Sequence, residues 1–293
     1  MKALTLAHST IFILCTSLLS AADWNNWRGP EMNGSSSASN TPQSFSTDNG
    51  VRWSVDMPGA AASTPIISGN HVFVSSTDQA KENLIALAYD LKTGKELWRH
   101  VVAQGLKQDD RSNYAGASPA SDGKHVVFFY GTGDIAVFTM DGKPVWKKNI
   151  QEEYGKFYFL WTFSTSPLLH GENIIMQVLQ RDTPVHNFQR GGGKHSSYLL
   201  ALSMKDGSKV YQVERPDEAR AEAKEAFSTP VLYDHKGKTQ LLVTGGDCIT
   251  GHDPATGKEI WRWGTWNPDK IGHWRLVPSP IAGNGIALAC APK

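Results

Sequence analysis

The chain has 293 residues, with 29 lysines and arginines against 28 aspartates and glutamates. This near-neutral balance argues against a general binder of the nucleic-acid phosphate backbone, which needs a basic excess. Hydrophobic residues make up 40% of the chain and charged residues 19%, which excludes a mostly disordered protein. Three cysteines are too few for a disulfide scaffold.

The first 22 residues have the pattern of a secretory signal peptide. Lys2 supplies the positive charge, residues 4–19 are mostly apolar, and residues 20–22 supply the small side chains of a cleavage site. The apolar run is shorter than the about 20 residues that a membrane-spanning helix needs. We therefore predict an exported protein, periplasmic or secreted after cleavage, without a transmembrane segment in the mature chain. Cys248 and Cys290 would remain, and the sequence leaves open whether they pair or stay as buried free thiols.

A repeated unit dominates the chain after residue 50. The pattern Ala-x-Asp-x-x-Thr-Gly-Lys-x-x-Trp at residues 88–98 returns at residues 251–261 with Gly in place of Ala, and less completely at residues 138–146 and 201–211. We expect each turn glycine to adopt a positive φ and each closing aromatic ring to pack between repeats. These structural residues are Gly94, Gly142, Gly207 and Gly257, with Trp98, Trp146, Tyr211 and Trp261.

A second motif, in which Ser or Thr precedes Pro, recurs once in each repeat. It occurs at Pro65, Pro119, Pro167, Pro230 and Pro280, which we call the marker prolines. Between the motifs lie short runs rich in Val, Ile and Phe, which are typical of β-strands. Each unit of about 50 residues therefore provides four strands, which predicts an all-β fold, a β-propeller of four-stranded antiparallel blades.

Four complete blades and the start of a fifth are predicted. Residues 51–56, which include Trp53, are predicted to form a lone strand before the first blade. We expect residues 51–293 to form an incomplete ring in a chain truncated at its C-terminus, because the fifth unit has no Ala-x-Asp strand and no Trp strand of its own. The alternative is a five-bladed ring that the Trp53 strand closes. Residues 23–50 are predicted to form an N-terminal extension.

These repeats resemble the PQQ-repeat (pyrroloquinoline quinone), or tryptophan-docking, β-propeller family. That family includes bacterial quinoprotein dehydrogenases and the outer-membrane assembly protein BamB. The resemblance is specific for the fold and weak for function, because one fold hosts many sites. The first function that it implies is a non-catalytic binding or assembly scaffold in the cell envelope, without a cofactor. Its loops would hold a protein partner or a cell-envelope glycan.

The second function that the resemblance implies is a PQQ-dependent dehydrogenase acting on an alcohol or a sugar, with Ca²⁺ polarising the quinone. Such enzymes have an adjacent Cys-Cys pair, a carboxylate and amide set for Ca²⁺, and an Asp base. This sequence has no Cys-Cys pair and no matching set, so we predict no catalytic residue and no metal ligand. A sugar dehydrogenase without the pair stays open, because Arg111, His273 and Arg275 could bind the quinone carboxylates.

The long connections between blades indicate the functional face. In an up-and-down blade, the connection to the next blade and the connection between the second and third strands share one face, which we call the loop face. The tight glycine turns lie on the opposite, turn face. Long loops on a rigid scaffold often carry function. Candidate ligand-binding residues there are Arg111, Tyr114, Trp161, His273, Trp274 and Arg275, where arginine suits a carboxylate and tryptophan suits a ring. Residues 219–226 are predicted to form a short, solvated helix.

Overall fold

The computed structural model describes residues 23–37, 41–106, 112–182 and 196–291. The predicted signal peptide lies outside these residues. Four sheets of four strands follow one another along the described chain, and a sheet of two strands comes after them. The first blade contains β1 (Ile66–Ser68), β2 (His71–Asp78), β3 (Asn83–Asp90) and β4 (Glu96–Gln104). The second contains β5 (Ala120–Ser121), β6 (His125–Phe129), β7 (Asp134–Thr139) and β8 (Pro144–Asn149).

The later blades repeat this order. The third contains β9 (Leu168–His170), β10 (Asn173–Val178), β11 (Tyr198–Ser203) and β12 (Lys209–Glu214). The fourth contains β13 (Val231–His235), β14 (Lys238–Gly245), β15 (Cys248–His252) and β16 (Glu259–Trp263), and the fifth begins with β17 (Ile281–Gly283) and β18 (Ile286–Leu288). Strands pair antiparallel with their neighbours in the chain, so each blade is an up-and-down meander. The predicted propeller of four complete blades and the start of a fifth is confirmed.

Helix is nearly absent from the described residues. The α-helix α1 (Ile150–Tyr154) follows β8, and its N-cap Asn149 accepts a hydrogen bond from the backbone N–H of Gln151. A single 3₁₀ turn occupies Ala221–Lys224. Neither is long and apolar enough to cross a membrane, and the same holds for the whole described part of the chain.

The ring that closes one repeat packs on the glycine turn of the next blade. The indole Nε1 of Trp98 donates a hydrogen bond of 3.0 Å to the carbonyl of Met140. A Cβ atom added to Gly142 would lie 2.6 Å from the Trp98 ring, and Gly142 has a φ of 85°. Both the turn and the close approach therefore require glycine there. The same packing joins Trp146 to Gly207 and Tyr211 to Gly257.

Trp53 makes this contact with the first blade. Its Nε1 donates to the carbonyl of Leu91 at 3.0 Å, and its ring lies against Gly94. The predicted strand around Trp53 is wrong, however, because residues 51–57 have no strand conformation. A strand needs a neighbour that completes its hydrogen-bond ladder, and β17–β18 contains no third strand among the described residues. The Trp53 ring and a contact of 3.9 Å between the Tyr89 hydroxyl and the Met57 sulfur hold this segment against the first blade.

The residues before the marker prolines join the blades around the axis. The backbone N–H of Thr64 donates to the hydroxyl of Ser118 at 2.8 Å. The N–H of Ser118 donates in turn to the hydroxyl of Ser166 at 3.0 Å. The N–H of Ser166 donates to the hydroxyl of Thr229 at 3.1 Å, and the N–H of Thr229 donates to the hydroxyl of Ser279 at 2.8 Å. We call these five residues the hydroxyl belt.

The two described cysteines are both free thiols. Cys248 is buried in β15, as the unpaired alternative predicts, whereas Cys290 is exposed. Cys290 lies after β18, at the outer margin of the described fifth blade, so no neighbouring blade covers it there.

Candidate functional site

A cavity of about 330 Å³ is lined by residues from all five segments that precede the innermost strands. In every blade, one lining residue lies three positions before the marker proline. These residues are Ala62, Gly116, Ser164, Phe227 and Val277. Because one equivalent position from each blade meets here, the cavity lies on the propeller axis at the loop face. We call it the axial cavity.

The side chains at these equivalent positions shape the cavity. Ala62, Gly116 and Ser164 are small and leave space beside the first three blades, whereas Phe227 and Val277 fill the other side. A Cβ atom on Gly116 would lie 3.0 Å from the Ser112 hydroxyl oxygen, so this wall is already close-packed. The result is an apolar recess with a few hydroxyl groups at its edge.

Trp161 and Arg275 form the aromatic and charged wall of the axial cavity. The Nε1 of Trp161 donates to Oε1 of Glu222 at 3.1 Å. The guanidinium of Arg275 donates to the same oxygen and lies 5.5 Å from the centroid of the Trp161 ring. One carboxylate therefore fixes both side chains, and it cancels the formal charge of Arg275.

A second ion pair lies behind this wall. Glu225 is fully buried and accepts hydrogen bonds from Nε of Arg181 and, at 3.1 Å, from the backbone N–H of Leu160. Burial raises the pKa of Glu225, and Arg181 opposes that rise. Arg181 also lies 3.8 Å from a Glu222 oxygen. These two carboxylates and the guanidinium groups of Arg181 and Arg275 form what we call the charge cluster.

Backbone hydrogen bonds hold the carboxylates in place. The N–H of Ala226 donates to the carbonyl of Leu179 at 3.1 Å, and the N–H of Phe227 donates to the carbonyl of Leu276 at 3.2 Å. The segment that carries Glu222 and Glu225 is thereby fixed between the third blade and the lead-in to the fifth. The short helix expected within residues 219–226 is present as the 3₁₀ turn Ala221–Lys224, but the expectation that it is solvated is wrong, because Ala223, Ala226 and Glu225 are buried.

The structure brings together two of the six candidate residues from the sequence, Trp161 and Arg275. Tyr114 is half-buried and does not line the cavity, and burial raises the pKa of its hydroxyl. Trp274 is also half-buried and His273 is exposed, and neither lines the cavity.

Arg111 lies outside the described residues. Among the residues that the structure does describe, no three or more His, Cys, Asp or Glu side chains are grouped so that they could hold a metal ion.

The fold and the axial cavity define a β-propeller whose blades dock through tryptophan. A family model described as outer membrane protein assembly factor BamB matches residues 37–176 and 81–271 in two overlapping alignments. The chain belongs to this family. A search of the curated proteins finds no match.

Solved structures are similar to this chain at low sequence identity. A europium-containing methanol dehydrogenase is 15% identical with a TM-score of 0.57, over 93% of this chain and 54% of that one. The quinohemoprotein alcohol dehydrogenase from Comamonas testosteroni is 15% identical with a TM-score of 0.57, over 92% and 45%. BamB from Moraxella catarrhalis is 15% identical with a TM-score of 0.47, over 77% and 58%. The chain thus spans about half the length of these structures.

Proposed function

We propose that this chain is an exported, non-catalytic binding and assembly scaffold of the cell envelope, which holds a protein partner at its loop face. Membership of the BamB family and the predicted signal peptide support this function. The observation that carries it is the axial cavity, to which every blade contributes its equivalent residue. Trp161 and Arg275 are already oriented there by Glu222, so a partner need not order them on binding.

The cavity suits an uncharged, apolar or aromatic side chain of the partner. Its walls include the rings of Trp161 and Phe227 and the side chain of Val277. Burial of apolar surface contributes roughly 25 cal/mol per Å². A charged group would lose its hydration and find Arg275 already paired with Glu222, so it gains little.

The alternative function, a PQQ-dependent dehydrogenase, needs groups that hold the quinone carboxylates. Of the three residues that the resemblance offers, Arg275 is paired with Glu222 and His273 is exposed outside the cavity. These two residues therefore do not form an anion site that fits the quinone. The proposed function involves neither PQQ nor Ca²⁺.

Site-specific photo-crosslinking in living cells tests the scaffold function. A photoreactive amino acid at Val277 lies at the mouth of the axial cavity, and one at Thr93 lies on the turn face as a matched control. We expect a discrete protein adduct from position 277 and none from position 93. In the probe chain, Ala62→Trp should fill the cavity and lower the adduct at least tenfold.

Three outcomes would contradict the proposal. They are equal adducts from both positions, an adduct that Ala62→Trp leaves unchanged, and an adduct in which mass spectrometry identifies a glycan instead of a partner protein.

A further inference from the structure

Part of the N-terminal extension lies against the inner edge of the first blade. One edge of β1 pairs with β2, where Ile67 lies opposite Val72. On the other edge, the N–H of Ile67 donates to the carbonyl of Trp24 at 2.9 Å, which forms an isolated antiparallel bridge. The free edge of an innermost strand faces the axis, so Trp24 lies in the central channel.

The same segment contacts three more blades. The N–H of Ser121 in β5 donates to the carbonyl of Asn25 at 2.9 Å, and the N–H of Leu232 in β13 donates to the Met32 sulfur at 3.5 Å. A guanidinium nitrogen of Arg28 donates to the carbonyl of Pro280 at 2.9 Å, directly before β17. Only a segment on the axis can reach the innermost strands of blades that do not adjoin one another.

The contacts are equivalent in the repeat. Ile67, Ser121 and Leu232 are each the second residue after their marker proline. The residues that line the axial cavity lie three positions before the marker prolines. The hydroxyl belt lies one position before the prolines, between the axial cavity and these contacts. The N-terminal segment therefore occupies the channel on the turn-face side of the belt, directly beneath the cavity.

The segment is itself compact. Asn26 is buried, and its side-chain amide donates to the carbonyl of Gly29 at 2.7 Å while its oxygen accepts from the N–H of Arg28 at 3.0 Å. Gly29 has a φ of 76°, and a Cβ atom there would lie 2.7 Å from the Trp24 ring. A segment that only lay on the protein surface would not need a turn packed this closely against the Trp24 ring.

We propose that residues 23–34 form an axial plug that seals the turn-face side of the channel and links the first blade to the fifth. The axial cavity is then a blind pocket, and any ligand enters and leaves it through the loop face. The plug also satisfies backbone N–H groups on the inner strand edges that would otherwise face the channel.

Amide hydrogen exchange tests the plug in the purified full chain. The amides of Ile67 and Ser121 should be protected, and removal of residues 23–34 should accelerate their exchange at least 100-fold. The amide of Val137, in the interior of the second blade, is the internal control and should not change. Rapid exchange at both amides in the full chain, or unchanged protection in the shortened chain, would overturn the proposal.

A crosslink tests the plug without shortening the chain, in case the shortened chain does not fold. In a Cys290→Ser background, Asn25→Cys with Ser121→Cys should form a disulfide under mild oxidation, because their backbones are hydrogen-bonded. The control pair, Asn25→Cys with Val210→Cys on the outer strand β12, should not. Absence of the first disulfide, or equal yields from the two pairs, would show that the segment lies elsewhere.

Discussion

Replacing Trp98 by alanine is expected to lower the free energy of unfolding by about 3–5 kcal/mol, the usual cost of removing a large packed aromatic ring. Trp98 contacts Phe73, Phe128 and Phe138, with centroids 5.8, 6.1 and 5.5 Å away. These rings come from two different blades, so the substitution weakens the interface between the first and second blades. It also leaves the carbonyl of Met140 without its indole donor. Urea unfolding monitored by circular dichroism measures the change.

Trp263→Ala is the matched control for this prediction. Trp263 is 54% exposed at the end of β16, so its removal should change the free energy of unfolding by less than about 1 kcal/mol. Equal losses from the two substitutions would mean that docking of the aromatic ring on the next blade does not stabilise the propeller.

Acidification is expected to remove about 3 kcal/mol of stability through His252 alone. His252 is 1% exposed, its Nδ1 lies 2.9 Å from the carbonyl of Gly257, and its Nε2 lies 2.8 Å from the hydroxyl of Thr250. Burial lowers the pKa of His252 from 6.5 to about 4, and the Gly257 carbonyl partly opposes this shift. The guanidinium groups of Arg215 and Arg262 also lower it, whereas Glu259 raises it.

The sign follows from the depressed pKa. Above pH 6.5 the histidine is neutral in both the folded and the unfolded chain, and its contribution is fully present. As the pH falls from 6.5 to 4, the unfolded chain takes up the proton first, so stability is lost. Burial raises the pKa of Glu225, Asp217 and Asp247. The folded chain takes up these protons first, so these three groups increase stability as the pH falls.

The His252→Gln variant isolates the contribution of the histidine to the loss of stability, because the wild type and the variant both contain those carboxyl groups. Urea unfolding at pH 7 and at pH 4 should show a smaller loss in the variant than in the wild type, by about 3 kcal/mol. Parallel losses in the two proteins would show that His252 is not the group responsible.

Local sequence determines the blades, because each repeat contains its own strands, its turn glycine and its docking ring. The spacing from the marker proline also defines the cavity, since Ala62, Gly116, Ser164, Phe227 and Val277 share one position in the repeat. The sequence contains this spacing, but the residues at the five positions are as different as glycine and phenylalanine. Residue type alone therefore does not show that the five positions are equivalent.

Contacts between distant segments could not be predicted in the same way. Glu222 acts on Trp161 and Arg275, which lie 61 and 53 residues away, so nothing in its local alanine-rich surroundings distinguishes it from a solvated glutamate. The axial plug depends mainly on backbone carbonyl and amide groups, which every residue has. The ring of Trp53 docks as the repeat implies, yet strand formation also needs a partner that its local sequence does not supply.

We propose that the axial cavity binds a partner and performs no redox chemistry. Titration of the purified full chain with PQQ and Ca²⁺, combined with a dye-reduction assay on alcohols and sugars, tests that claim most directly. The scaffold function predicts no stoichiometric binding of PQQ and no reduction of the dye. Saturable one-to-one binding with turnover would contradict it and would establish a quinoprotein dehydrogenase instead.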